Sequence, residues 1–334
     1  MPAQSPRDDD GSGSRTIVVD ALRRPDPDLL VLSLVDPHSA ELPGWEPGAH
    51  VDVAVPTTPV RQYSLCGDPC DRGRYRIAVL RGTDPDGLSQ WLHTNGRVGT
   101  SLQISTPRNR FRLEDAEHYL FVAGGIGITP ILPMIAEVSR SGRPWHLVYG
   151  ARSRRRMVFA DEISALAGGR LDLVAEDEQG PLDIDALMSE CRPESSVYAC
   201  GPGPMLQAVQ DACRRWRPHR PPTIERFSAL DSSPTATAGR PATGGRRPFD
   251  VELRRSGITV TVPPNRSLLS VVREVLPATP YSCEEGVCGT CETTVLAGVP
   301  EHHDEVLTDA ERAEGATMMI CVGRSASPLL VLDL

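Results

Sequence analysis

The sequence predicts a chain of several domains: a small antiparallel β-barrel or sandwich, an open α/β domain of the nucleotide-binding type, and a compact α+β domain. Three observations predict it. The 334 residues exceed what one hydrophobic core usually serves. The apolar rhythm changes from closely spaced strands to alternating strands and helices at Tyr119. A stretch rich in Ser, Thr, Ala, Gly, Pro and Arg, SPTATAGRPATGGRRP, then replaces that rhythm from Ser233. The expected organisation is a disordered tail over 1–14, the barrel over 15–113, the α/β domain over 114–229, a linker over 230–247 and the α+β domain over 248–334.

The opening MPAQSPRDDDGSGSR is polar and has no apolar stretch to offset the entropy of ordering it. From Thr16 the runs TIVVDAL, LLVLSLVD, AHVDVAV, RQYSLCG, RYRIAVL and TSLQIS are short and broken by turn residues, the signature of antiparallel strands. One helix candidate, GLSQWLHTN, interrupts them at Gly87. After Tyr119, YLFVAGG, WHLVYGA, LDLVAED and SVYAC read as strands. PILPMIAEVSRSG, FADEISALAG, IDALMSEC and the segment after Pro204 read as helices. Such alternation implies parallel strands with helical crossovers. In the last segment FDVELRRSGITVTV reads as a hairpin turning at Ser256 and Gly257, SLLSVVREVL as a helix, and CETTVLAG and PLLVLDL as strands.

A formal charge of −9, from 44 acidic against 35 basic residues, disfavours a nucleic-acid binder. No run of eighteen apolar residues spans a membrane and no signal peptide is evident, which predicts a cytoplasmic protein without membrane contact. In a reducing compartment an odd total of nine cysteines favours thiols or metal ligands over disulfides.

Three of those cysteines share one loop, YSCEEGVCGTC. The full spacing is Cys283-x4-Cys288-x2-Cys291-x29-Cys321. A zinc ribbon shows two close pairs, whereas four-then-two with a distant fourth is the spacing of a plant-type [2Fe-2S] cluster. Gly286 and Gly289 let backbone amides approach the cluster's sulfides. Glu284 and Glu285 read as an acidic rim or as simple solvation. Cys66, Cys70, Cys191 and Cys213 form no second ligand set.

With this motif the chain resembles the phthalate dioxygenase reductase family, which includes vanillate O-demethylase reductase components, and the resemblance runs from about residue 16 to the C-terminus. It implies a flavin-binding barrel, an NAD-binding domain and a β-grasp ferredoxin domain in that order. Arg61-Gln62-Tyr63-Ser64-Leu65 resembles the family's R-x-Y-S-L flavin motif: an arginine for phosphate, a tyrosine along the ring, a serine for polar atoms. Alone, the same pentapeptide reads as an ordinary strand. Ala78 and Val79 are further flavin contacts that the resemblance implies. Gly87-Leu88-Ser89 is expected to hold the flavin phosphate at a helix N-terminus, with Ser89 as the N-cap. His93 reads as structural or cofactor-shell. The absence of an adenine-binding insertion favours FMN over FAD by resemblance only.

Gly124-Gly125-Ile126-Gly127-Ile128-Thr129-Pro130 is similar to the family's GGIGITP turn and Cys200-Gly201-Pro202-Gly203-Pro204-Met205 to its C-G-P-x-x-M turn. Together they imply a nicotinamide site bordered by Thr129 and Cys200. Cys200 otherwise reads as a small buried residue. Glu225-Arg226-Phe227 matches the family's E-R-F ending, with Phe227 expected over a flavin or nicotinamide face. Arg152, Ser153 and the arginines after them read as an adenosine-side phosphate clamp or as a solvated loop. The resemblance points to NADH, and the arginines keep NADPH open.

The implied reaction carries a hydride's two electrons from NADH to the flavin and then singly to the cluster. The implied acceptor is a terminal oxygenase, a Rieske non-haem iron enzyme first and a haem-thiolate monooxygenase second. A redox-sensing interaction protein is the alternative of another class, and a direct reductase of a small organic substrate the alternative enzyme.

Overall fold

The computed structural model describes residues 14–82, 84–227, 247–277, 279–281, 286, 289–304, 306–307 and 309–334. The expected tail, apart from Ser14, and the expected linker, apart from Arg247, lie outside them. The chain divides into two compact units, Met1–Arg226 and Phe227–Leu334.

The first unit opens with six antiparallel strands: β1 (Ser14–Asp26), β2 (Leu29–Val35), β3 (His50–Ala54), β4 (Arg61–Ser64), β5 (Tyr75–Leu80) and β6 (Ser101–Ser105). Their order is β4-β3-β6-β1-β2-β5. The two outer strands meet where Cys66 N–H donates to the Arg76 carbonyl at 2.8 Å, so the sheet closes as a barrel. Helix α1 (Leu88–Asn95) buries Leu88 and Leu92 against the barrel interior.

The run LLVLSLV on β2 is continuously apolar because both of its faces are covered. Leu30, Leu32 and Leu34 enter the barrel core, while Leu29 and Val31 pack against the α/β layer. A strand with one wet face would alternate apolar and polar residues. Each of these leucines contributes about 1.5–3 kcal/mol of burial.

The α/β layer has five parallel strands: β7 (Tyr119–Gly124), β8 (Trp145–Ala151), β9 (Gly169–Ala175), β10 (Ser196–Cys200) and β11 (Thr223–Glu225), in the order β11-β10-β7-β8-β9. Its helices are α2 (Ile128–Arg140), α3 (Ala160–Ser164), α4 (Glu176–Gln179), α5 (Ile184–Glu190) and α6 (Gly203–Trp216). Alternate residues of β7 divide between the faces: Phe121 and Ala123 with α2 and α3, Leu120 and Val122 with α5 and α6. Crossovers from β7 and β10 therefore leave on opposite faces, and their C-terminal ends form the switch point where doubly wound sheets bind ligands.

The helix expected over FADEISALAG shrinks to the five residues of α3. Phe159 at its cap takes a left-handed φ of +65° with the Arg76 guanidinium 4.8 Å from its ring, and the chain turns away after Ala167 at Gly168. Strand β11, unforeseen in the sequence, makes PTIER the sheet's edge.

In the second unit the strands are β12 (Phe249–Leu253), β13 (Ile258–Val262), β14 (Glu292–Ala297), β15 (Pro300–Glu301), β16 (Thr317–Met319), β17 (Arg324–Ser325) and β18 (Leu329–Leu332), with helices α7 (Leu268–Val275) and α8 (Asp309–Glu314). The main sheet runs β13-β12-β18-β14-β16. Only the β12–β18 pair among these is parallel, the mixed sheet of a β-grasp fold. Helix α7 is capped by Ser267, whose hydroxyl accepts from Ser270 N–H at 3.1 Å, and it lays Leu268, Leu269, Val271 and Val272 into the core. The hairpin turns through Ser256 and Gly257 as expected.

Candidate redox site

Strand β4 carries the R-Q-Y-S sequence beside β3, with His50 opposite Ser64, Val51 opposite Tyr63 and Val53 opposite Arg61. Ser64 Oγ is buried and has no hydrogen-bond partner. Its cross-strand neighbour His50 likewise has a buried Nε2 without one. Burial first, then Arg108, pushes the His50 pKa down to about 4, so the ring is neutral at pH 7. Native folds rarely leave such atoms unspent. A hydroxyl in this state fits a ligand that supplies the missing partner.

Arg61 is half-buried, donates to the Val60 carbonyl and lies 3.8 Å from Asp84 in the loop before α1. Gln62 donates to Asp52 at 3.1 Å. Tyr63 packs against the barrel core, and Leu65, Val79 and Leu88 are buried within it. The expected contacts Leu65, Val79 and Leu88 are thus core side chains. Ala78 faces the α/β layer instead. Gly87, not Ser89, is the N-cap of α1, correcting the expected cap. The Ser89 hydroxyl accepts from Gly82 N–H at 3.1 Å, and Gln90 donates to the Gly82 carbonyl, so both side chains close the preceding loop. His93 is buried, with Nε2 3.1 Å from the Val79 carbonyl and Nδ1 without a hydrogen-bond partner among the described residues.

At the switch point the GGIGITP and CGPGPM turns touch. A Cβ on Gly127 would lie 2.2 Å from the Cys200 carbonyl oxygen, and one on Gly124 would lie 2.5 Å from Pro202 and 2.9 Å from the Met205 sulfur. These two glycines serve the packing of one turn on the other. Gly125 differs: its φ is +55° and nothing stands within 4 Å of its Cβ position, so within the GGIG turn it is the glycine that leaves room for a ligand. Gly201 Cα sits against Gly124, and the Ile126 side chain packs at the edge of the α2 core. Thr129, buried in the first turn of α2, donates to the Ile126 carbonyl at 3.0 Å, and Tyr149 OH donates to the Gly125 carbonyl at 3.1 Å.

Cys200 ends β10 fully buried, and burial holds its thiol well above the ordinary range; it is not a thiolate at neutral pH. Its register partner on β11 is Glu225. The Glu225 Oε2 is buried without a hydrogen-bond partner, and burial pushes this carboxyl up to about 8. A lone Glu in E-R-F gives no sequence signal of this; strand β11 had to be seen pairing with β10. Arg226 reaches Gln210, and Phe227, partly exposed, begins the second unit.

The arginine run divides. Arg154 is paired with Glu178 at 2.8 Å and Arg156 with Asp28 at 2.8 Å. Arg152 and Arg155 are exposed at the C-terminal end of β8, and half-buried Ser153 caps the short turn that follows.

In the second unit Cys291 directly precedes β14 and Cys321 closely follows β16. The β14–β16 ladder therefore brings both buried side chains to one end of the sheet. Gly286 and Gly289 both adopt left-handed φ values, +74° and +73°. Two buried cysteines beside a loop turning on left-handed glycines fit a thiolate-ligated cluster. Cys283 and Cys288 lie outside the described residues.

Comparison with known proteins agrees with this division. The profile of the 2Fe-2S iron-sulfur cluster binding domain matches residues 251–325, and that of the oxidoreductase NAD-binding domain matches residues 121–211. The chain is 42% identical over 309 residues to phenoxybenzoate dioxygenase subunit beta of Ectopseudomonas oleovorans, covering 92% of this chain and 93% of the relative. It is 38% identical over 313 residues to phthalate dioxygenase reductase of Burkholderia cepacia, again covering 92% and 93%. A solved phthalate dioxygenase reductase superposes with a TM-score of 0.68 at 35% identity, over 97% of this chain and 99% of that one. An intact type IV self-sufficient cytochrome P450 monooxygenase matches all of this chain with 43% of its own, at 37% identity and a TM-score of 0.84.

Proposed function

The chain belongs to the phthalate dioxygenase reductase family, and from that premise we propose that it delivers electrons singly to a Rieske non-haem iron oxygenase. It is an oxidoreductase, the reductase component of an oxygenase system, using NADH, FMN and a [2Fe-2S] cluster. The observation that carries the reading is the likeness, over nine-tenths of the chain, to reductases of dioxygenase systems, and the first unit carries the matching nucleotide turn. The left-handed Gly125 with open space beside it, the buried Cys200 and the partnerless Glu225 carboxyl converge there at the switch point of the sheet.

FMN supplies the conversion between a two-electron hydride and the single electrons that a cluster accepts. Ser64, whose buried hydroxyl is unspent, would donate to a polar atom of the ring, and Arg61 with the Gly87, Leu88 and Ser89 amides would hold the phosphate. Tyr63 and Ala78 border the ring. The Gly124-Gly125-Ile126-Gly127 turn and the Gly201-Pro202 turn, with Met205 beneath, seat the nicotinamide dinucleotide, and Arg152 with Ser153 receives its adenosine side. Cys200 and Thr129 would border the nicotinamide, roles of alignment rather than proton transfer. Glu225, protonated at pH 7, presents an O–H donor beside Cys200 and orients the carboxamide. Cys283, Cys288, Cys291 and Cys321 hold the cluster, in a cytoplasmic protein kept reduced by its compartment. No helix of the described residues is long and apolar enough to cross a membrane.

The 37% likeness to a self-sufficient P450 makes a haem-thiolate acceptor the second reading. The test supplies the NADH-reduced protein with a purified Rieske oxygenase or with a haem-thiolate monooxygenase and measures coupled product formation. Turnover with the Rieske enzyme alone supports the reading. Turnover with the haem enzyme alone replaces it, and NADH oxidation by a small quinone with neither partner active favours direct substrate reduction.

A further inference from the structure

Behind the cysteine loop of the second unit lies a buried polar pair that none of the preceding steps uses. Asp304, between β15 and α8, has a fully buried side chain, and His302 beside it is nine per cent exposed, with Nδ1 3.8 Å from Asp304 Oδ1. Asp304 Oδ2 accepts from the N–H groups of Val306 and Leu307 at 3.1 and 2.9 Å. Arg312 donates to the Asp304 carbonyl and has Nη2 3.9 Å from Oδ2. Three polar atoms remain buried without a hydrogen-bond partner among the described residues: Asp304 Oδ1 and both ring nitrogens of His302.

The pair touches the cluster loop. A Cβ on Gly286, which lies between Cys283 and Cys288, would stand 2.9 Å from Asp304 Cα and 2.6 Å from the Val322 side chain next to Cys321. Gly286 therefore sits against the backbone of Asp304, which its own carboxylate and Arg312 hold in place. Charge is positioned as firmly as shape. The Arg312 guanidinium is 35% exposed and screened by water, whereas the Asp304 side chain is wholly enclosed.

We propose that Asp304 is a positioning residue for the iron–sulfur centre, seating its loop through Gly286 and lowering its reduction potential, with His302 tempering that charge. The proposal rests on the second unit carrying the cluster. Removing a buried anion makes electron uptake easier, while removing a polar ring from beside it leaves the anion less compensated. The two substitutions therefore act with opposite sign, which a scaffold role alone does not produce.

The experiment is a redox titration of the full-length holoprotein followed by electron paramagnetic resonance, with Asp304→Asn and His302→Leu beside the parent. Asp304→Asn is expected to raise the cluster potential by a tenfold change in the one-electron equilibrium, about 59 mV, and His302→Leu to lower it, with the flavin potential unmoved. A loaded variant whose cluster potential equals the parent's, or whose flavin moves with it, overturns the proposal. Where Asp304→Asn fails to assemble a cluster, His302→Leu decides alone, because it keeps both N–H bonds to Asp304. A parent without a [2Fe-2S] signal after dithionite overturns the proposal together with the cluster reading beneath it.

Discussion

Ser64 and Glu225 each hide a polar atom that the protein itself does not satisfy, and each makes a prediction that an ordinary structural residue does not. Ser64→Ala deletes a buried hydroxyl with no partner, so the flavin-free protein should lose no stability. Flavin affinity should fall about fivefold, the worth of one net hydrogen bond near 1 kcal/mol. Fluorescence titration of the apoprotein with FMN, beside its thermal unfolding, checks both halves. For Glu225 the sign follows from its raised native pKa. Below pH 4.5 both native and unfolded forms carry the proton. Between 4.5 and about 8 only the native form keeps it, so stability declines across that window and levels off above it. Above about pH 6.5, where the His50 ring is neutral in both native and unfolded chains, Glu225→Gln should abolish the decline, seen as a melting temperature that holds from pH 6.5 to 8 while the parent's falls. A parent whose stability is flat from pH 6.5 to 8 would contradict the neutral carboxyl.

At the scale of elements, the two turns after β7 and β10 fit within a van der Waals contact of each other. Gly127→Ala places a methyl 2.2 Å from the Cys200 carbonyl, and the contact is backbone, which cannot rotate away. The turns must part. Flavin content should stay at the parent's level, since Ser64 and Arg61 lie on the barrel, while kcat/KM for NADH falls at least tenfold. Stopped-flow reduction of the bound flavin measures it. The barrel and α/β layers are held together by the Leu29, Val31 and Ala78 face and by the forked pair from Arg76 to Glu162 at 2.8 and 3.0 Å. The apolar face dominates that contact, because a partly exposed ion pair contributes at most about 1 kcal/mol.

Over the whole molecule, hydride entry and electron exit belong to different units, and Cys321→Ser separates them. That variant should keep NADH-driven flavin reduction at the parent's rate and lose both the [2Fe-2S] resonance signal and oxygenase-coupled turnover. Loss of flavin reduction as well would join what the two units are said to divide. The sequence by itself determined the order of three folds and the cofactor motifs. Apolar periodicity, cysteine spacing and glycine turns are local or nearly local signals, and YSCEEGVCGTC, RQYSL and GGIGITP each carry their chemistry within a dozen residues. Tertiary structure alone decided that Gly125 stays open while Gly124 and Gly127 pack, that the Ser89 hydroxyl closes a loop instead of capping a helix, and that Arg154 and Arg156 are already spent on Glu178 and Asp28. It also decided that Glu225 sits opposite Cys200 with its Oε2 buried, and that Asp304 lies against Gly286. Each of these depends on partners distant in the chain, and burial, which sets a side chain's charge and its unspent hydrogen bonds, is a property of the packed neighbourhood.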